Sequence, residues 1–184
     1  MAWIQHMIKS MNNTGRMTVV LPHGALFRKG AEGKIRKVLL EQDMLEAVIG
    51  LGGNIFYGTP LAACLMVFKK EKDPVKKDKV LFIDASDQVR LGRAQSYLEP
   101  EHINQIFEWF NNYDDVENYV KVASMEDLKE NDFNLNIPLY VEKIIEDNLP
   151  SVEEALTDLK SAWIESLEAE EKFKKILKDY KLWN

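Results

Sequence analysis

The stretch Met44–Lys70, MLEAVIGLGGNIFYGTPLAACLMVFKK, constrains the fold more than any other part of the chain. It holds two apolar runs, Leu45–Leu51 and Pro60–Phe68, joined by a short loop rich in glycine and aromatic residues. Runs this short, with Val, Ile, Leu, Phe and Ala at most positions, fit strands buried on both faces, although periodicity alone leaves a helix open. Glycines at 50, 52, 53 and 58 favour a turning connection between strands. Phe56 and Tyr57 sit in that connection, where a turn of purely structural purpose has no need of them.

Short strands and amphipathic helices flank this pair. Ala2–Asn12 places Trp3, Ile4, Met7, Ile8 and Met11 on one helical face. No capping residue precedes it, so the chain reads as starting inside a helix whose N-terminal surroundings are missing. Met17–Pro22 (MTVVLP) reads as a strand, closed by Pro22-His23-Gly24. Lys34–Leu45 repeats a helical period through Ile35, Val38, Leu39 and Leu45, with Arg36 and Lys37 on the wet side. Lys69–Lys79, with Pro74 inside it, is a surface connection, and Val80–Ile83 is another strand. Glu99–Asn111 is helical, with Ile103, Ile106, Phe107 and Phe110 on one face. Tyr119–Ala123 reads as a short strand, and Ser124 to Asp127 opens a brief helix with a capping-box pattern.

From Ser151 the chain turns into one long helix, with Glu154 completing a capping box. Val152, Leu156, Leu159 and Trp163, then Phe173, Leu177 and Tyr180, form a coiled-coil-like seam broken at Ser166 and Glu170. Such a seam needs cover. Its own domain and another chain are both open as the source. The domain boundaries that follow are 1–148 for the body and 149–184 for a helical tail.

Composition narrows the class. A chain of 184 residues suffices for one domain and an appendage. Cys64 is the single cysteine and lies in an apolar run, which excludes an internal disulfide and fits a reducing compartment, the cytoplasm. No apolar stretch reaches the ~20 residues of a membrane-spanning helix, and Gln5, His6 and Lys9 break any signal-peptide core. The net charge of −6 conceals an asymmetry: residues 1–98 carry +6 and residues 99–184 carry −12. Two surfaces with different partners would give this pattern, as would a solvated acidic tail.

Several familiar chemistries are absent from the pattern. His6, His23 and His102 stand far apart with no partner at metal-ligand spacing, so no metal site is expected. No nucleophile-elbow pattern surrounds a serine. Gly50-Leu-Gly-Gly53 tempts as a phosphate loop, but no helix signature follows, and a strand turn explains it better. Arg28, Lys29, Lys34, Arg36 and Lys37 put five cations within ten residues, which suits a phosphate backbone, although a solvated helix face looks similar and is the simpler reading of the cluster alone. The loop Asn54–Thr59 lies at the end of two buried strands, where α/β proteins place ligand contacts. A flat side chain there can stack on a nucleobase; it can also plug the core.

Taken together, TGRMTVVLPHGALFRKGAEGKIRKVLLEQDMLEAVIGLGGNIFYGTPLAACLMVFKK strongly resembles the modification (M) subunit of type I restriction–modification enzymes. The resemblance continues through VLFIDAS (80–86) and NDFNLNIPLYV (131–141), with Leu139 departing where the family often has a basic residue. It implies an adenine-N6 DNA methyltransferase dependent on S-adenosylmethionine. The implied fold is the C-terminal part of a Rossmann-like α/β methyltransferase sheet followed by a long C-terminal helix. Met17–Leu21 would be its fifth strand, Leu45–Leu51 its sixth and Leu61–Phe68 its antiparallel seventh. Phe56 would pack against the flipped-out adenine, with Tyr57 and Thr59 as neighbouring base contacts. Arg28, Lys29, Lys34, Arg36 and Lys37 would meet the DNA backbone. Leu156, Leu159, Trp163, Phe173 and Leu177 would meet the DNA-specificity subunit, with the restriction subunit completing the complex.

Two family elements do not occur in this sequence: the glycine-rich cofactor loop after the first strand and the Asn/Asp-Pro-Pro-aromatic motif after the fourth. The expectation is therefore a C-terminal portion of such a subunit, binding no S-adenosylmethionine and inactive by itself, with the bare edge of its fifth strand open to pairing with another copy. The alternative is a non-catalytic module that binds a specificity subunit through its terminal helix.

Overall fold

The computed structural model describes residues 1–143 and 150–180. The chain forms two compact units, Met1–Ile144 and Ile145–Asn184. The first contains, in order, α1 (Ala2–Ser10), β1 (Arg16–Pro22), α2 (Gly24–Phe27), α3 (Ala31–Glu41), β2 (Leu45–Leu51), β3 (Ala63–Lys69), β4 (Lys79–Ala85), β5 (Arg90–Leu91), β6 (Ser96–Tyr97), α4 (Pro100–Asn112), β7 (Val120–Ser124) and α5 (Met125–Glu130). The second contains α6 (Val152–Asp179).

Five strands form one mixed sheet in the order β1-β3-β2-β4-β7. β3 runs antiparallel to both β1 and β2 and lies between them, whereas β2 and β4 are parallel. β2 is buried at all of its positions, as a central strand covered on both faces must be. On one face Phe68, Phe82, Leu26, Leu40 and Leu128 pack with Ile4 and Ile8 of α1. On the other, Ile49, Leu51, Val67, Leu81 and Ile83 pack with Trp109 of α4. Burying each large side chain of this kind contributes ~1.5–3 kcal/mol. Cys64 belongs to the first cluster, and burial pushes its thiol up to about 11, leaving it an inert small hydrophobe.

One carboxylate is sealed into this sheet. Glu46 of β2 is fully buried and is held by the Arg16 guanidinium at 3.0 and 3.2 Å and by Lys76 at 3.4 Å. Both cations also lie over the Phe110 ring, at 5.6 and 5.3 Å from its centroid. A buried charge with this many donors satisfies the rule that desolvated ions are paired.

Two helices orient differently from the sequence expectation, and α4 keeps its expected face toward the sheet but leaves it partly open. In α1, Ile4 and Ile8 are buried, but Trp3 stands 80% exposed, one residue off the inward line. In α3 the inward line runs through Arg36, Leu39 and Leu40 at i, i+3 and i+4, which leaves Val38 exposed. Leu45 belongs to β2. In α4, Trp109 is the buried residue, while Ile103, Ile106, Phe107 and Phe110 line an open groove of about 370 Å³ with Thr18, Leu65 and Val67. β1 is an edge strand whose outer side has no partner among the described residues. The sequence reading passed over α2 and the β5–β6 hairpin.

In the second unit, the Ser151 hydroxyl accepts from the Glu154 amide and the Glu154 carboxylate accepts from the Ser151 amide, the expected capping box. Leu156, Leu159, Trp163 and Phe173 are exposed along α6, and Leu177 is half-buried. No described helix is long and apolar enough to cross a membrane.

Candidate functional site

β1, β2 and β4 all end at one end of the sheet, where β3 begins. The loop from Gly52 to Ala62 connects β2 to β3 there. Its first turn is tight because a Cβ on Gly52 would stand 2.7 Å from the Ser86 carbonyl oxygen and 2.9 Å from Val89. Asn54 takes a left-handed conformation at φ 60°, and Gly58 does so at φ 77°. The Asn54 amide donates to the Pro60 carbonyl at 3.1 Å, and the Thr59 hydroxyl accepts from the Leu61 amide at 3.2 Å. These bonds fold the loop back on itself and leave the aromatics outside. Phe56 is 37% exposed and Tyr57 96% exposed, so neither plugs the core.

The β5–β6 hairpin supports this loop from the side. The Ser96 amide donates to the Asn54 carbonyl at 2.8 Å, the Asn54 side-chain amide to the Ala94 carbonyl at 3.1 Å, and the Gln95 side-chain amide to the Ile55 carbonyl at 2.7 Å. Loop and hairpin together enclose a cleft of about 360 Å³, lined by Asn54, Phe56, Tyr57, Gly58, Gln95 and Tyr97 among others. Arg90 lies over the Tyr97 ring at 4.5 Å and also pairs with Glu99. Arg93, at the hairpin turn, is exposed and makes no ion pair among the described residues. Sequence reasoning missed this hairpin. Its signal was Gly92, whose amide donates to the Gln95 carbonyl at 3.0 Å and where a Cβ would meet that same oxygen at 2.5 Å.

The expected cations follow the same end of β1, through α2 into α3. Lys29, Lys34 and Lys37 line a second cleft of about 360 Å³ with Asn131 and Asn134. Arg28 and Lys37 have loose i,i+4 partners in Glu32 and Glu41, at 4.0 and 3.8 Å. Arg36 departs from the expected surface set. It is 4% exposed, and its guanidinium donates to the carbonyls of Phe133, Ala25 and Arg28 at 2.9, 3.2 and 3.0 Å. Its charge joins three segments internally, because an inward position on α3 claimed it first.

Two of the three histidines hold local structure. A ring nitrogen of His23 stands 3.0 Å from the Ala63 carbonyl, tying the end of β1 to the start of β3. His102 accepts from the Glu99 amide at the start of α4. The end of β4 is neutralised internally: Lys143 pairs with Asp84 at 3.3 Å and Asp87 at 3.2 Å. Among the described residues, no three His, Cys, Asp or Glu groups gather in a way that could hold a metal ion.

Comparison with known proteins places these features in context. Residues 1–148 match the family described as N-6 DNA Methylase. The chain is 35% identical over 179 residues to the type I restriction enzyme MjaVII methylase subunit of Methanocaldococcus jannaschii, covering 96% of this chain and 30% of that protein. It is 34% identical over 173 residues to the MjaVIII methylase subunit of the same organism, covering 91% and 30%. The crystal structure of a type I restriction-modification system methyltransferase subunit from Streptococcus thermophilus superimposes with a TM-score of 0.73 at 39% identity, over 77% of this chain and 30% of that one. The chain therefore spans about 30% of the length of these relatives.

Proposed function

The chain belongs to the N-6 DNA methylase family of type I restriction-modification methylase subunits, and from that premise we propose that it supplies the base-holding part of an adenine-N6 DNA methyltransferase. The observation that carries the reading is the loop at the β2–β3 end of the sheet, which presents Phe56 and Tyr57 to solvent on a hydrogen-bonded frame. The amine of adenine is paired and stacked inside a duplex, so its methylation requires an extruded base. Phe56 stacks on that base, and Tyr57 and Thr59 flank it. Arg28, Lys29, Lys34 and Lys37 face the DNA backbone. On this reading the sheet is the C-terminal part of a Rossmann-like methyltransferase sheet, with β1, β2 and the reversed β3 as its fifth, sixth and seventh strands.

S-adenosylmethionine supplies the methyl group in such enzymes, but the described residues do not fit it. β1 runs into the four-residue α2, β2 turns back into β3, and Asp84 at the end of β4 is already bound by Lys143 and by the Ser86 amide. The chain alone therefore transfers no methyl group. The test uses an oligonucleotide carrying one 2-aminopurine in a pyrimidine run. Stacking on Phe56 should quench its fluorescence, and Phe56→Ala should restore it with roughly tenfold weaker binding. In parallel, labelled S-adenosylmethionine should leave adenine-containing duplex unlabelled. Quenching unchanged in Phe56→Ala would remove Phe56 as the base contact, and labelling by the chain alone would overturn its inactivity.

A second reading is favoured by the exposed line Leu156, Leu159, Trp163 and Phe173 on α6. This line, with Leu177, docks the chain onto the specificity subunit of a cytoplasmic type I complex that also contains the restriction subunit. Co-elution with a specificity subunit is expected, and Trp163→Asp should abolish it. Co-elution undiminished by that charge would take α6 out of the interface.

A further inference from the structure

We infer that the cleft between the 52–62 loop and the β5–β6 hairpin is a second nucleotide subsite, which takes the nucleotide next to the base held by Phe56. The inference rests on the base-holding reading above and adds a residue set that reading does not use: Tyr97, Arg90 and Arg93. Three observations carry it. First, the cleft of about 360 Å³ is lined by aromatic residues from both sides, Phe56 and Tyr57 of the loop and Tyr97 of the hairpin. Every nucleobase offers a flat face to such rings, so the site accepts a nucleotide without reading its identity. Second, the Tyr97 ring is fixed before any ligand arrives. Arg90 covers it at 4.5 Å and is itself anchored on Glu99, and Gly92 leaves room for the ring, since a Cβ there would stand 2.8 Å from it. Third, Arg93 is exposed at the turn of the same hairpin, next in sequence to the cleft-lining Ala94, and has no ion partner among the described residues, so a cation beside the cleft is available to a phosphate of the bound nucleotide.

The two walls behave as one platform because Asn54 and Gln95 join them through side-chain bonds of 3.1 and 2.7 Å, with the Ser96 amide adding a third bond. A strand distorted by extrusion of one base leaves its neighbour unstacked on one side, and an adjacent aromatic site recovers that lost stacking.

The experiment places single 2-aminopurines at successive positions of a single-stranded DNA and titrates the intact 184-residue chain. Wild-type protein should quench two adjacent positions. Tyr97→Leu, which keeps apolar bulk without a π face, should brighten one of them and weaken binding roughly tenfold, whereas Tyr97→Phe should behave as wild type. Arg93→Gln should lower the slope of log affinity against log salt by about 1. Quenching and affinity unchanged in Tyr97→Leu, with Phe56→Ala still losing its signal, overturns the second subsite and leaves the base-holding reading intact. Loss of neither signal in either variant, or no binding by wild type, overturns both.

Discussion

Arg16→Met should lower the stability of the first unit by about 3 kcal/mol, read as a shift in the urea midpoint at unchanged slope. The Glu46 side chain is wholly buried, and Arg16 supplies two of its three donors. Removing one partner of a buried pair costs ~3–5 kcal/mol because the remaining charge stays desolvated. The lower end applies here, since Lys76 remains at 3.4 Å and the Arg16 side chain is itself 46% exposed. Met preserves the contact of the side-chain stem with the sheet, so the loss isolates the charge. Adding Glu46→Leu to Arg16→Met should recover only part of the stability, because the carboxylate no longer needs compensation but Lys76, 12% exposed, loses its partner. A single variant within about 0.5 kcal/mol of wild type, the scatter of ordinary surface changes, would contradict this account.

Arg36→Met should also cost about 3 kcal/mol, for a different reason. Its guanidinium is the donor for three carbonyls, at Ala25 and Arg28 on one segment and at Phe133 on another far away in sequence. Each acceptor left without a partner costs ~1–3 kcal/mol, and carbonyls tolerate the loss better than amides. Burial disfavours the charged form of Arg36, and Glu32 and Asp132 offset that in part. Arg36→Lys should be intermediate, because an ammonium lacks the rigid fork that reaches several acceptors at once. The measurement also separates two roles. A phosphate contact would weaken DNA binding and leave the urea midpoint in place, whereas the buried strut moves the midpoint first.

The fate of Arg36 illustrates what the sequence can and cannot convey. Its position in a run of five cations suggested a surface face, and its place on the inward line of α3 decided otherwise. Only the tertiary arrangement, with the Phe133 carbonyl arriving from almost a hundred residues away, makes burial of that charge tolerable. β2 was legible because a seven-residue run with six apolar or glycine positions admits few structures, and β3 because its partner run followed a glycine turn. The order β1-β3-β2 was not legible from composition or spacing; the family resemblance implied only that the last of these three strands runs antiparallel. Phe56 and Tyr57 stood out as large aromatics in a turn, and the structure leaves them accessible. Tyr97 and Gln95 did not stand out, since a two-residue strand carries almost no periodic signal and the Gln95 latch to the Ile55 carbonyl is a long-range contact.

The insertion of β3 between two strands that precede it in the chain fixes the earliest moment at which these three strands can join. Among the described strands, β1 and β2 have no partner until β3 follows them, because each hydrogen-bonds to β3 and β2 otherwise only to the still later β4. At ~5–20 residues per second, translation of the intervening loop and β3 takes on the order of seconds, long compared with hydrophobic collapse. Throughout that interval β2, which is buried at every position in the folded protein, is present without its neighbours. Elongation speed across codons 52–69 therefore sets how long the nascent chain must be shielded from others like it.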